Sequence, residues 1–344
     1  MNGFYKNKKV LIIGGTGTIG QGLLEQILKD EPAVVRILSR DEHKQFLLQQ
    51  RMRQYDNIRY LIGDVRSLER VIRAMESIDY VFHVAAMKHV PSCEYNPYEA
   101  VQTNIIGTQN VIRAAIETGI KKVVFTSTDK AIAPTNTYGA TKLMAERLIA
   151  NAQYNSGAHE TDFSVVRFGN VIGSRGSVVP LFFSQIQRER AVYVTDIHMT
   201  RFMMTLNQAT SLTLKSMQQS RGGEIFVLKM PVIRLSDLVQ VVIEKATRIL
   251  NINPEAIKIH EIGLRPGEKM FEELMTIDES NGAWELPDMF VIPNPLLERS
   301  VHYDSANTAE IKMYSSHDEE PISIDSVRTL LEREFFKEIS SYEG

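Results

Sequence analysis

Short runs of apolar, largely β-branched residues alternate with longer amphipathic stretches through the first half of the chain. KVLIIGG (9–15), VVRILSR (34–40), IRYLIGD (58–64), YVFHVAA (80–86), KVVFTST (122–128) and FSVVRFG (163–169) predict strands. The stretches QGLLEQILKD, LERVIRAMES, NIIGTQNVIRAAIETG and GATKLMAERLIANAQ predict helices between them. Several runs are apolar at both odd and even positions, as strands covered on both faces must be. Successive units of this kind predict an α/β fold, a Rossmann-type parallel sheet with helices on both faces. The pattern loosens after Gly173. The expected organisation is a sheet domain over 1–173 with parts of 202–250, and a smaller interleaved C-terminal lobe over 174–201 and 254–344. Residues 151–162 read as a loop, and the charged last dozen residues as a mobile tail.

Composition narrows the picture. The 344 residues allow two structural units. A formal net charge of -3 argues against nucleic acid as a partner, since phosphate binding needs a basic face. Cys93 is the only cysteine, which excludes an internal disulfide and a thiolate zinc cage and fits a reducing cytoplasm. The N-terminal stretch lacks a cleavage pattern, and no apolar run approaches the roughly 18 residues of a membrane helix. A soluble, cytoplasmic protein with no membrane partner is expected. Neither H-E-x-x-H nor a comparable cluster occurs, so no metal is expected. His83 lies inside an apolar strand and reads as a core histidine. His89 is the other histidine near it.

GGTGTIG (14–20) follows the first strand and opens a helix. Its glycines Gly14, Gly17 and Gly20 suit a dinucleotide pyrophosphate: one for a tight turn, one for close backbone approach, one for helix–strand packing. The helix N-terminus then receives the negative charge. Thr16, Thr18 and Ile19 complete this loop. Strand two ends in Ser39, Arg40 and Asp41, about 20 residues further on, where an acid grips the NAD ribose or an arginine accepts the NADP phosphate. Arg40 stands first and favours NADP over NAD; Asp41 is the alternative. Asp64 with the Val65 backbone fits an adenine edge, or Asp64 caps the following helix.

The glycine loop, GDVR, VAAMKHV, TNIIGT, YGATK and RFGNVIGSRGSVVP together resemble an extended short-chain dehydrogenase/reductase acting on nucleotide sugars. STDKA, GSRGSVVPLF, MTRFMMT, GGEIFV and RPGEKMFEEL sharpen the resemblance to the soluble UDP-N-acetylglucosamine 4,6-dehydratases, most closely the C5-inverting type of pseudaminic acid synthesis. Longer relatives carry a membrane segment before the glycine loop, and the stretch before Gly14 is too short for one. The resemblance covers residue 7 to about 290 and implies NADP, a UDP-sugar substrate and a homo-oligomer. It implies that Tyr138 and Lys142 form the Tyr-x-x-x-Lys pair. They share a helix face; the lysine holds the nicotinamide ribose and lowers the phenol's pKa. Thr128 is the implied hydroxyl donor to the sugar. Ala85, Ala86 and Lys88 lie on the implied cofactor side, and Lys88 also near substrate. Asn104 is implied as structural or cofactor-side, and Asn170 as fixing the nicotinamide end. Ser174, Arg175, Ser177, Val178, Arg201, Arg265 and Glu268 are implied over the UDP moiety, where arginine forks suit a diphosphate.

Asp129 and Lys130 make the narrower statement. Oxidation at C4 acidifies the C5 proton, and the C6 hydroxyl leaves only if protonated. A base and an acid are both required. Lys130 is assigned to the C5 proton and Asp129 to the departing oxygen, hydride then returning to C6 with no net redox change. A C5-retaining dehydratase, or a 4-epimerase using Tyr138 and Lys142 alone, is the rival reading. A non-catalytic NADP-binding sensor is the rival from a different class.

Overall fold

The computed structural model describes residues 3–155, 160–174, 176–265, 267–296, 303 and 306–336. The six expected strands form as β1 (Lys9–Ile13), β2 (Val34–Ser39), β3 (Ile58–Ile62), β4 (Tyr80–His83), β5 (Lys122–Thr128) and β6 (Asp162–Phe168). The later strands are β7 (Asn170–Val171), β8 (Ala191–Val194), β9 (Thr200–Met204), β10 (Ile225–Leu228), β11 (Val232–Arg234), β12 (Lys258–Glu261), β13 (Glu273–Met275), β14 (Trp284–Glu285), β15 (Met289–Ile292), β16 (Asn307–Thr308) and β17 (Tyr314–Ser315). The helices are α1 (Thr18–Leu28), α2 (Glu42–Arg51), α3 (Leu68–Met75), α4 (Val90–Tyr95), α5 (Pro97–Ala100), α6 (Gly107–Thr118), α7 (Thr137–Asn155), α8 (Val178–Glu189), α9 (Leu206–Gln219), α10 (Leu235–Ile249), α11 (Ile277–Ser280) and α12 (Ile324–Leu331).

One large sheet runs β16-β14-β15-β10-β6-β5-β4-β1-β2-β3. Strands β3 through β6 and β10 are parallel, and β15 pairs antiparallel with β10. Helices α3, α6 and α7 pack on one another, and α1 packs on α9, so the sheet is covered on both faces. Burial agrees: every residue of β4, β10 and β15 is buried. The order reverses at β1, whose neighbours are β2 and β4. A crevice forms at such a reversal, beyond the carboxyl ends of the strands.

A second core lies under α8, β8, α10 and α12. Strands β8 and β12 pair there, and β11-β9-β7 and β13-β17 form small separate sheets. The expected lobe over 254–344 is split, because β14, β15 and β16 extend the main sheet instead. Two-residue strands carry no periodic signal that would have announced this. The expected loop over 151–162 is shortened from both ends, since α7 runs to Asn155 and β6 starts at Asp162. At the C-terminus Glu332–Phe336 forms a π turn, while 337–344 lie outside the described residues.

Candidate active site

The three loop glycines divide the work at the head of the crevice. Gly14 has φ +88°, and a Cβ on it would sit 2.7 Å from the Ala85 nitrogen. The turn and the 85–86 loop therefore touch backbone to backbone. A Cβ on Gly20 would lie 2.5 Å from the Gly15 Cα, so α1 closes onto the loop only with glycine there. Gly17 is the N-cap of α1 and is more open, its nearest neighbour being the Gly14 carbonyl at 3.3 Å. Thr18, Ile19 and Gly20 occupy the first turn, whose N–H groups have no acceptor inside a helix. Thr16 and Ser39 share a hydroxyl hydrogen bond of 2.8 Å that ties this loop to the end of β2. The cradle fits a pyrophosphate.

Beyond β2, Asp41 caps α2: it accepts from the Lys44 N–H at 2.9 Å and pairs with the Lys44 ammonium at 2.8 Å. Arg40 is exposed and lies 3.5 Å from Asp64. Asp64 accepts from the Arg66 N–H at 3.0 Å and its guanidinium at 2.9 Å. It stabilises its own turn; the N-cap of α3 is Ser67, so the capping alternative fails. Partial burial works against the Asp64 charge, but the Arg66 bonds and the Arg40 charge hold the carboxyl below its usual range. The Val65 carbonyl accepts from Asn110 at 2.9 Å.

The 85–88 loop is held from below by Asn104. Its amide oxygen accepts from the Met87 N–H at 2.8 Å, and its amide nitrogen donates to the Met87 carbonyl at 2.9 Å and to Thr141 at 3.0 Å. Asn104 is 2 % exposed and sits in a π turn, Val101–Ile106, of the kind that re-aims side chains near functional sites. Of its two expected roles, the structural one is occupied. Lys88 and His89 are exposed, and the His89 ring packs beside Gly176. His83 is fully buried and bonds Thr108 through Nε2 at 3.1 Å, while Nδ1 has no partner among the described residues. Burial, and then the Lys142 charge, lowers its pKa to about 3.

The candidate reactive groups converge where β5 ends. Asp129–Ala131 forms a single 3-10 turn against the start of α7. The contact is tight: a Cβ on Gly139 would fall 2.0 Å from the Lys130 carbonyl. This approach brings Tyr138, on α7, to the Asp129–Lys130 pair. Thr128 donates to Asp129 Oδ1 at 2.7 Å, and Lys130 Nζ donates to Asp129 Oδ2 at 2.9 Å. The Thr128 hydroxyl is also within hydrogen-bonding reach of Tyr138. Asp129 is 4 % exposed, whereas the Lys130 side chain is one-third exposed.

Electrostatics differ from expectation at three points. Burial opposes the Lys130 charge, but Asp129 and Glu272 outweigh it and raise its pKa. Burial likewise opposes ionisation of Asp129, yet the Lys130 charge and hydrogen bonds from Lys130 and Thr128 hold it low. The resting pair is thus ammonium and carboxylate. Burial pushes the Tyr138 phenol up to about 12, and the cation that pulls it back is Lys130. Lys142, expected in that role, is 2 % exposed, donates to the Thr126 carbonyl at 2.6 Å and lies 3.8 Å over the Phe125 ring. Burial lowers its own pKa to about 7, against the charge of Glu146.

Glu272 is the group that sequence reasoning missed. It arrives just before β13, and both its oxygens accept from Asn170 Nδ2 at 2.9 Å. The Phe202 N–H donates to Oε2 at 3.0 Å, and Lys130 Nζ lies 3.7 Å from Oε1. Asn170, expected to fix the nicotinamide end, spends its amide nitrogen on Glu272 and on the Phe202 carbonyl. Arg201, expected on the diphosphate, is likewise taken. It donates to the carbonyls of Thr200, Lys269 and Met270 at 2.8, 3.0 and 3.0 Å, bracing β9 against the 269–270 segment. A planar fork serves backbone carbonyls as well as phosphates.

Of the remaining residues expected over UDP, Ser177 and Val178 begin α8, and Ser174 sits in the turn after β7. The Ser177 hydroxyl is buried without a partner among the described residues. Arg265 is exposed, and Glu268 accepts from the Thr195 hydroxyl at 3.0 Å. Arg175 lies outside the described residues. Among the described residues there is no grouping of metal-ligating side chains, and no helix is long and apolar enough to cross a membrane.

Residues 10–294 match a family model described as polysaccharide biosynthesis protein. A UDP-N-acetylglucosamine 4,6-dehydratase (inverting) of Campylobacter jejuni is 42% identical over 294 residues, 84% of this chain and 83% of that protein. A UDP-glucose 4-epimerase of Rickettsia canadensis is 37% identical over 338 residues, 95% of this chain and 96% of that one. An uncharacterized membrane protein of Methanocaldococcus jannaschii is 49% identical over 292 residues, 85% and 87% of the two chains. The X-ray structure of Pen from Bacillus thuringiensis superimposes with a TM-score of 0.90 at 60% identity, covering 96% of this chain and 98% of that one. With the glycine cradle at the sheet reversal and the Tyr138–Lys142 helix beside it, this chain belongs to the polysaccharide biosynthesis protein family of extended short-chain dehydrogenases/reductases.

Proposed function

We propose that this enzyme is a hydro-lyase that dehydrates UDP-N-acetylglucosamine to a UDP-4-keto-6-deoxy-N-acetylhexosamine, with inversion at C5. The observation that carries the reading is the Asp129–Lys130 pair, packed against Tyr138 at the end of β5. Oxidation alone needs only Tyr138 and Lys142. A 4-epimerase, the activity named for the Rickettsia relative, would leave the acid–base pair idle. The dehydratase and the inversion are supported by the Campylobacter relatives.

The cradle of Gly14, Gly17 and Gly20 would hold the dinucleotide pyrophosphate, with Ser39, Asp64 and Val65 toward its adenosine half. Arg40 supports NADP over NAD: it is the exposed cation at the end of β2, while Asp41 is committed to capping α2. When bound, the dinucleotide supplies a hydride acceptor for C4 and a hydride donor for C6. As its phenolate, the form that the Lys130 charge favours against burial, Tyr138 takes the C4 hydroxyl proton, with the Thr128 hydroxyl within its reach. The C4 ketone then acidifies C5–H. One proton moved from Lys130 to Asp129 turns the resting ion pair into an amine that removes the C5 proton and an acid that protonates the C6 oxygen. Water leaves and both residues return to their resting charges. Once C6 has received hydride, C5 takes a solvent-exchanged proton on the face opposite Lys130, and Tyr138 gives up the proton it took from the C4 hydroxyl, which closes the balance. Ser174, Ser177, Val178, Arg265 and Glu268 line the approach for UDP. The reading carries with it a homo-oligomer working in the cytoplasm.

The test is mass spectrometry of the product formed from UDP-N-acetylglucosamine. Loss of one water is expected. A product of unchanged mass overturns the reading in favour of the epimerase.

A further inference from the structure

The proposed chemistry leaves one difficulty, which the geometry around Glu272 addresses. Lys130 must shed a proton before it can act as a base, yet two carboxylates flank it. Asp129 lies 2.9 Å away on one side and Glu272 3.7 Å away on the other. Glu272 is buried, comes from a separate segment of the chain, and is within hydrogen-bonding reach of Asp129. Asn170 and the Phe202 N–H fix its orientation. The other charged group facing it is Arg201, from β9, at 3.5 Å. Tyr138, from α7, faces Lys130 rather than Glu272. Lys269 and Glu273, near Glu272 in the chain, pair with each other at 2.6 Å.

We propose that Glu272 is a positioning residue for the Lys130 proton: protonated, it leaves Lys130 facing the single carboxylate of Asp129, to which that proton can pass. Ionised, it holds the ammonium in place and blocks the base. The balance closes with two protons on the three groups. The resting arrangement is a protonated Glu272, an Asp129 carboxylate and a Lys130 ammonium. The reactive arrangement is a protonated Glu272, a protonated Asp129 and a Lys130 amine. In both, the three groups carry no net charge among them, so the proton passes without building charge beside the buried Asp129. Burial, and then the Asp129 charge, pushes the Glu272 carboxyl up to about 7, so the group changes state in the working range. This inference rests on the dehydratase reading above.

Two measurements decide it. In the first, turnover of UDP-N-acetylglucosamine is followed from about pH 6 to about pH 9 for the wild-type enzyme and Glu272→Gln, which keeps a neutral acceptor for Asn170 and Phe202. The ratio of variant to wild-type rate is expected to rise about tenfold per pH unit above neutrality. Taking the ratio cancels any limb the two proteins share, such as that of Lys142. A ratio constant with pH leaves Glu272 a purely structural role and overturns the proposal. In the second, infrared spectra of the wild-type protein labelled with 13C-glutamate are recorded without substrate. One buried glutamate carboxyl is expected to lose its proton near neutrality, and absence of such a band also overturns the proposal. A wild-type enzyme that turns over no substrate would sink the dehydratase reading, and the infrared band would still judge Glu272.

Discussion

Burial treats the two lysines of the candidate site in opposite ways. Lys142 is buried without a carboxylate in direct contact and is lowered to about 7, whereas Lys130 has carboxylates on two sides and is raised. Lys142 therefore costs the fold stability. Its folded-state pKa lies below its unfolded value, so the cost is fully present below about pH 7 and fades as pH rises toward about 10. Lys142→Met should raise the unfolding temperature at pH 7, by a free energy of at least about 1 kcal/mol, while abolishing turnover. The gain should shrink when unfolding is repeated near pH 10; a pH-independent change would contradict this assignment. Lys130→Ala should lower dehydration by about 10²- to 10⁴-fold, and should also lower the unfolding temperature, because Asp129 is left buried without its cation. Normal water loss in that variant would remove Lys130 from the chemistry. Asp129, Lys130, Tyr138 and Lys142 were legible because they share one short sequence motif. Glu272 was not, since its environment is assembled from β7, β9 and the 129–131 turn, far away in sequence.

Two elements make the site, and one glycine sets their distance. The first turn of α7 lies against the Lys130 carbonyl with no room for a methyl group. Helix propensity alone would have Gly139→Ala stabilise α7 by about 1 kcal/mol. The packing predicts the reverse: α7 or the 129–131 turn must shift, destabilising the protein by about 1–3 kcal/mol and separating Tyr138 from Lys130. Thermal unfolding and turnover of this variant check both halves, and a stabilised, active protein would refute the packing argument. Strands β1 and β4 were legible because burial on both faces writes itself as unbroken apolar runs. Strands β14 and β16 were not, because two residues pairing at a sheet edge carry no period of their own.

At the scale of the whole molecule, a buried arginine joins the sheet domain to the C-terminal segment. Arg167, on β6, is 0% exposed and donates to Glu146 of α7 at 3.1 and 2.7 Å. It also donates to the Leu274 carbonyl at 2.9 Å and to Glu279 of α11 at 3.0 Å. One side chain thus ties the helix carrying Tyr138 to the segment that follows Glu272. Arg167→Met leaves Glu146 buried without its partner and should destabilise the protein by about 3–5 kcal/mol, read by denaturant unfolding. Pairing it with Glu146→Leu should restore part of that loss, and no recovery would mean that the ion pair is not the source. This joint was not legible in the sequence, because an arginine in a strand reads as a surface residue until its partners are known. The central claim is that this enzyme removes water across C5 and C6 of the sugar. It is tested most directly by incubating the protein with UDP-N-acetylglucosamine in D2O and recording the NMR spectrum of the product. A new C6 methyl group with deuterium at C5, and coupling constants of the inverted configuration, are expected; an unchanged hydroxymethyl group would contradict the account.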